Sequence, residues 1–457
     1  MNLEQLQNTN IVILGAGLTG LSCARFLRDN GIAFVLNDSR ENSVELDTLA
    51  SFPNDKFIQG YWDSEVISSS DLIIASPGID LSEANLVSLL KNKQVIGDVE
   101  LYCLLKNTPI LAVTGSNGKS TVVSLLNYLG NALGKNVLLG GNIGTPILDQ
   151  FDKQPEILIL ELSSFQLETI NSLTPIAATI LNISDDHLDR HKTLKNYQNI
   201  KQKIYHNANV AVINRDDELT HLNDNDTVEN IISFGSDVPS AGQFGMAFIE
   251  QKRMLMYGQQ ALMSLSELPL AGEHNALNCL AALALGQSAG WPIADMVPLL
   301  PNFKGLDHRC QRVNSNDGIH WVNDSKATNI GATLAAIEGL VATLSTQNKL
   351  ILIAGGDGKG ADFEQLSSAL DNYVSHVFLI GKDAKLIANV CAELTTKAQV
   401  VDSLEIAVSN AAICADEGDI VLLSPACASI DMFKNYAARG HAFEQAVASI
   451  KGIGGDR

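Results

Sequence analysis

The sequence predicts an α/β protein of three domains. Three times a short apolar run breaks into a glycine-rich or polar turn and then a helical pattern: residues 11–14 before GAGLTG, 110–113 before TGSNGKS, and 350–354 before GGDGKG. Strands alternating with helical stretches build parallel sheets with crossover helices. A chain of 457 residues also exceeds what one core ordinarily fills. The domains are expected at 1–97, closing after the helical stretch 83–91; at 98–305, closing at NFKGLD after the apolar run 276–289; and at 306–457. The outer two are expected to be Rossmann-like, and the central one a P-loop-type ATPase domain with a mostly parallel sheet.

Composition excludes several classes. Hydrophobic residues are 46% and charged residues 18%, which is globular and neither disordered nor collagen-like. Mean hydropathy is only +0.10, and no apolar run reaches the roughly 18 residues of a membrane span. The opening MNLEQLQNTN lacks a basic region followed by an apolar stretch, so no secretory signal is expected. With 31 Lys and Arg against 51 Asp and Glu, the net charge is −20. Such a surface repels nucleic acid and anionic membranes, so neither is expected as a partner. Small anions remain possible ligands, because local cations and helix N-termini hold them. Seven scattered cysteines without a CxxC pair argue against a disulfide framework or structural zinc and for a reducing cytosol.

In the first turn Gly15, Gly17 and Gly20 spell GxGxxG between strand and helix, and Asp38 ends the next strand, FVLND. Two glycines admit a diphosphate and the third admits helix–strand packing, while the acid suits a ribose. By itself this fits NAD and a dehydrogenase. A UDP-sugar also supplies a diphosphate and a ribose, so the motif leaves both open.

The second turn, VTGSNGKST at 113–121, resembles a P-loop shortened at its start, with Val113 where the usual glycine would stand. Gly115, Ser116, Asn117 and Gly118 form a backbone cradle for phosphates, Lys119 reaches the β and γ oxygens, and Ser120 or Thr121 offers a hydroxyl to Mg²⁺. ATP or a close relative is the expected ligand.

Further blocks follow in order: GGNIGTP (140–146), ELSSFQLE (161–168), NISDDHLDRH (182–191), HNALN (274–278), DHR (307–309), NDSKATN (323–329), GGDGKGADF (355–363) and SPACASIDMFKNYAARG (424–440). With TGSNGKST, they resemble the Mur ligases along nearly the whole chain. TGxxGK[ST] is shared with the other Mur ligases and with folylpolyglutamate synthetases. NDSKATN and the SPACAS–FKNY block narrow the resemblance to the branch that adds D-glutamate, and the DNPR segment of the diaminopimelate- or lysine-adding branch is absent from the sequence. The resemblance implies an ATP-dependent amide ligase of the bacterial cytoplasm, expected to be monomeric. It would act on UDP-N-acetylmuramoyl-L-alanine and D-glutamate through an acyl phosphate, with ATP as co-substrate and two Mg²⁺ ions.

The same resemblance implies roles for residues. Leu18, Thr19, Asp38 and Arg40 would lie near the uridine nucleotide, with Gly78 and Asn142 further along that substrate. Asn278, Arg309 and Asp324 would contact ATP. Glu161 ends an apolar strand, where a carboxylate either ligates Mg²⁺ or caps the next helix; the resemblance implies that it and His187 hold one Mg²⁺ while Ser120 and the nucleotide hold another. His187 and His191 could suggest a zinc pair, but no third ligand block accompanies them. Lys201 in NIKQKIYHNA would ordinarily solvate a helix face; the resemblance implies a carbamate there, with Lys203 as the alternative register. Lys119, Lys201 and His187 form the expected catalytic set. Lys326 and Lys359 each follow an apolar strand, and a dicarboxylate needs two such anchors. With Thr328, Ser429 and Tyr436, where the family often has Phe, they would hold D-glutamate. Two rival readings are a dinucleotide-dependent oxidoreductase, which leaves TGSNGKST unexplained, and a catalytically silent UDP-sugar sensor, which leaves the intact lysine, carboxylate and histidine set unexplained. A ligase adding another amino acid is a third.

Overall fold

The computed structural model describes residues 1–41, 57–223, 228–268, 272–341, 344 and 347–450. Three sheets follow one another along the chain, each built on one of the apolar runs. In the first, the order across the sheet is Phe57–Gln59, Phe34–Asp38, Ile11–Leu14, Leu72–Ala75, Gln94–Ile96, all parallel. Ile11–Leu14 is buried along its whole length, as a strand covered by helices on both faces must be. Strand order reverses between Ile11–Leu14 and Leu72–Ala75, and a ligand crevice opens at the carboxyl ends of such a pair. The GAGLTG turn sits at that point. A Cβ at Gly20 would lie 1.8 Å from the Gly15 carbonyl oxygen, so only glycine lets the helix Leu18–Asp29 seat against the turn.

The second sheet is also fully parallel: Asn230–Phe234, Val210–Asn214, Ala177–Ile180, Ile110–Thr114, Ile157–Glu161, Val137–Gly141. Ile110–Thr114 lies inside it and feeds the helix Lys119–Ala132. The helix Glu273–Ser288 packs on that helix, with buried residues around most of its circumference. Beside this layer stands an antiparallel sheet of Phe244–Ile249, Lys252–Tyr257 and Gln260–Ser264 that the sequence reading did not foresee. Its first hairpin turns through Glu250 and Gln251, at φ 48° and 64°. Two-residue turns of this hand usually use Asn-Gly, so the local signal was missing.

In the third sheet, Gln311–Val313 runs antiparallel to His320–Asn323, and Ile420–Leu423, Leu350–Gly355, Val374–Ile380 and Lys397–Val400 continue in parallel. The apolar core does not break at residue 97. Val99, Leu101 and Tyr102 on the helix Asp98–Leu105 join one cluster with residues of both the first and second sheets. Phe26 and Phe151 meet across the same seam at 4.7 Å, beneath the Arg25–Asp149 ion pair. Among the described residues no helix is long and apolar enough to cross a membrane.

Candidate active site

The phosphate-type turn is held by one residue, Asn182, just past the end of the neighbouring strand Ala177–Ile180. Asn117 N–H donates to Asn182 Oδ1 at 2.8 Å, Asn182 Nδ2 donates back to the Asn117 carbonyl at 3.1 Å, and Ser116 N–H donates to the Asn182 carbonyl at 2.9 Å. Gly118 caps the helix Lys119–Ala132 in the left-handed region at φ 85°, and a Cβ there would lie 2.5 Å from Asn278 Oδ1. Glycine at this position therefore lets the helix N-terminus and Asn278 face one space, where unpaired N–H groups favour an anion. Lys119 Nζ currently donates to the carbonyls of Gly115 and Ser116, at 2.6 and 2.8 Å.

A cavity of about 530 Å³ surrounds this turn. It is lined by Ser116 through Thr121, Glu161, His187, Lys201 and Asn278, and from the turns beside the third sheet by Arg309, Asp324, Lys326 and Thr328. Glu161 is buried; its Oε1 accepts from Asn142 Nδ2 at 2.9 Å, while its Oε2 has no partner. Leaving a buried carboxylate oxygen unpaired is costly, and a cation removes that cost. The oxygen set of Glu161 and Ser120, beside His187, fits Mg²⁺.

Lys201 is also buried, and its Nζ donates to Thr114 Oγ1 at 3.1 Å and the Gly115 carbonyl at 2.9 Å. Burial, reinforced by the Lys119 charge, pulls its ammonium well below the usual lysine range. Lys203 points elsewhere, donating to the Glu168 carbonyl at 2.8 Å, and does not line the cavity. His187 takes φ 54° at the start of the helix Leu188–His191, its ring edge-on to Phe165. Burial lowers its pKa despite the adjacent Asp186.

A second cavity of about 600 Å³ opens at the first glycine turn, lined by Leu18, Thr19, Asp38, Arg40 and Gly78. Asp38 is not idle there: its Oδ2 accepts from Ala16 N–H at 2.7 Å, and the Arg40 guanidinium grips both oxygens at 3.0 and 2.7 Å. Burial alone would raise this carboxyl, but Arg40 and the backbone donors hold it below the usual range. Asn142 lines both cavities. One elongated ligand can therefore start at GAGLTG and end beside Lys119 and Glu161.

Comparison with known proteins decides what this constellation belongs to. Three family models match in order: Mur ligase MurD-like N-terminal domain over 9–97, Mur ligase middle domain over 113–286, and Mur ligase glutamate ligase domain over 308–427. The chain is 54% identical to UDP-N-acetylmuramoylalanine–D-glutamate ligase of Colwellia psychrerythraea, over 97% of this chain and 98% of that protein.

The chain belongs to the Mur ligase family.

The ligase of the same name from Coxiella burnetii is 44% identical, over 96% of this chain and 98% of its own. Among solved structures, UDP-N-acetylmuramate–alanine ligase from Thermotoga maritima superposes with a TM-score of 0.61 at 20% identity, covering 97% of this chain and all of that one. At that identity it shows the fold alone.

Within the Mur ligase frame, the third sheet contributes unevenly. Asp324 is buried and pushed up to about 7, with Ser424 Oγ donating to it at 2.8 Å. Burial, with help from Arg309, brings Lys326 down to about 8, and its Nζ lies 4.0 Å over the Tyr436 ring. Lys359 lies outside the main cavity, in an adjoining recess that also exposes His187, and its Nζ is 3.6 Å from Asp186. Ser429 and Tyr436 line neither space. Ser429 is buried, its carbonyl taking the Phe433 N–H at 2.8 Å.

Two residues not singled out from the sequence complete the arrangement. Asn329 Nδ2 donates to Asn117 Oδ1 at 3.1 Å and approaches Asp186 Oδ2 at 3.3 Å, so it ties the third sheet to the phosphate turn. Asp186 thereby faces His187, Lys359 and Asn329 together; burial opposes its charge, but His187, Lys359, Lys119 and the Asn329 hydrogen bond keep its carboxyl below the usual range. Both residues sat inside blocks that carried the resemblance, NISDDHLDRH and NDSKATN. Their partners are distant in sequence, so the blocks alone gave them no role.

Proposed function

We propose that the chain joins the amine of D-glutamate to the L-alanyl carboxylate of UDP-N-acetylmuramoyl-L-alanine, with ATP converted to ADP and phosphate. The observation that carries the reading is the meeting of the two cavities at Asn142, beside the unpartnered oxygen of Glu161. The identity to ligases of that name supports the substrate assignment.

On this reading the domains divide the work at 1–97, 98–305 and 306–457. Leu18, Thr19, Asp38, Arg40 and Gly78 bind the uridine nucleotide end, and Asn142 guides the far end toward the phosphate turn. ATP lies on Gly115 through Thr121, with Asn278, Arg309 and Asp324. A carboxylate is a poor electrophile, so a carboxylate oxygen first attacks the γ-phosphorus and ADP leaves. Lys119 leaves its two carbonyl partners to stabilise the charge of that transfer. Mg²⁺ ions, held by Ser120, Glu161, His187 and a carbamylated Lys201, would neutralise phosphate charge. Lys326, Thr328, Lys359, Ser429 and the Tyr436 ring hold D-glutamate. Its neutral amine then attacks the acyl phosphate carbonyl, and phosphate departs. An acyl phosphate must be kept from water, so the reading requires the third domain to close over the acceptor.

This enzyme would work as a monomer in the bacterial cytoplasm. The test supplies purified protein with ATP, Mg²⁺, the UDP-sugar and one amino acid at a time while phosphate release is followed. D-Glutamate should give rapid release that requires the UDP-sugar. Preference for another amino acid, or release independent of the UDP-sugar, overturns the reading.

A further inference from the structure

Outside the reaction cavities, three potential metal ligands converge. His441 and Glu444 stand three residues apart on the helix Tyr436–Ala448 and so share a face. His308 reaches them from the turn before the strand Gln311–Val313. His308 Nδ1 lies 3.5 Å from Glu444 Oε1, and His441 Nδ1 lies 3.4 Å from Glu444 Oε2. One ligand atom from each of the three falls within 4.8 Å of the others. Metal bonds of about 2.0–2.1 Å in a tetrahedron put ligand atoms about 3.3–3.4 Å apart. The two short contacts end on different oxygens of Glu444, so the carboxylate faces both imidazoles, and rotation of His441, which is exposed, brings the three ligand atoms from within 4.8 Å to that spacing.

The inner half of the cluster is built rather than incidental. His308 is 4% exposed, holds φ 62°, and fills the space left by Gly440, where a Cβ would lie 2.3 Å from its Nδ1. Asn323 Nδ2 lies 2.9 Å from His308 Nδ1, 2.8 Å from Glu444 Oε1 and 3.1 Å from the Gly440 carbonyl. Asn323 Oδ1 accepts from Ser325 N–H at 3.2 Å, which fixes the side-chain amide's orientation. His308 Nδ1 therefore presents a lone pair, not a proton. An amide has two protons, and three acceptors compete for them. The surplus of lone pairs suits a cation.

We propose that His308, Glu444 and His441 form a binding site for a divalent transition ion of the Zn²⁺ type, separate from the Mg²⁺ chemistry of the reaction. Two imidazoles and one carboxylate with a fourth position open to solvent select Zn²⁺ or Co²⁺ over Mg²⁺, which prefers an all-oxygen shell. The ion clamps the helix Tyr436–Ala448 to the turn that carries Arg309. Asn323, one residue before Asp324, supports the site from within. Its role is to stiffen the third domain behind the nucleotide-facing pair Arg309 and Asp324.

The test titrates metal-free full-length protein with Co²⁺ and then Zn²⁺, in saturating Mg²⁺ and ADP so that the phosphate cavity is occupied. Wild type should bind one equivalent, develop the visible absorption of tetrahedral Co²⁺, lose it on adding Zn²⁺, and melt at a higher temperature with Zn²⁺. His441→Ala, at an exposed position where folding is not at risk, should weaken binding at least tenfold and abolish the Zn²⁺-dependent rise in melting temperature. Glu444→Gln should do the same. Equal Co²⁺ binding by wild type and His441→Ala would place the ion elsewhere and overturn the proposal, as would absence of stoichiometric binding to wild type.

Discussion

Asp98 offers a stability measurement whose sign follows from burial. It opens the helix Asp98–Leu105 within the core shared by the first two sheets, is 2% exposed, and its Oδ1 has no partner. Burial raises its carboxyl from 3.8 to about 6, against the opposing pull of the Val99 and Asp98 N–H groups and Gln166. Between those values the folded chain keeps a proton that the unfolded chain has released. Stability therefore falls as pH rises from about 4 to about 6, and the loss persists above that window. A shift of about two units costs about 3 kcal/mol once complete, at about 1.4 kcal/mol per unit. About half of that has accrued by about pH 5, and all of it by about pH 8. Asp98→Asn cannot ionise, so its stability relative to wild type should improve by about 1.4 kcal/mol between about pH 5 and about pH 8. Constant costs of the amide, such as a new unpaired N–H, cancel in this double difference. Urea unfolding of both proteins at the two pH values measures it, and the lower value stays above the pI of 4.8. A difference independent of pH, or one moving against the variant, would refute the argument from burial.

Three substitutions test the division of labour in the active site. Lys119→Ala should lower kcat by about 10²–10³, yet calorimetry should find UDP-sugar binding retained; loss of that binding in a folded variant would contradict the separate use of the two glycine turns. Lys359→Ala should reduce kcat/KM for D-glutamate while ATP binding is nearly unchanged, and undiminished use of D-glutamate would remove Lys359 from the acceptor site. Lys201→Ala should be inactive and partly rescued by small carboxylic acids that supply the missing oxygens. Lys201→Arg, which keeps the charge but cannot form a carbamate, should stay inactive, and wild-type activity there would sink the carbamate assignment.

Features that depend on a few adjacent residues were readable from the chain alone. The phosphate turn is one: its glycines, Lys119 and the helix behind it lie within one short stretch, so backbone freedom, charge and helix N-terminus arrive together. The apolar strands Ile11–Leu14, Ile110–Thr114 and Leu350–Gly355 are buried along their lengths, and such runs predicted parallel sheets without any knowledge of their neighbours. The hairpin through Glu250 and Gln251 escaped because its backbone conformation is imposed by strand pairing, not invited by glycine or asparagine. The site as a whole lies beyond local reading for the same reason. Lys201 is sequestered only because its helix lays it against Thr114 and Gly115, 87 and 86 residues away in sequence. Asn329 meets Asn117 across 212 residues, and Asn142 joins the two cavities through the packing of the first sheet against the second. Propensity and motif act over one turn of chain, whereas burial, the lone oxygen of Glu161 and the shared cavity exist only after crossover connections have brought remote segments into one low-dielectric space.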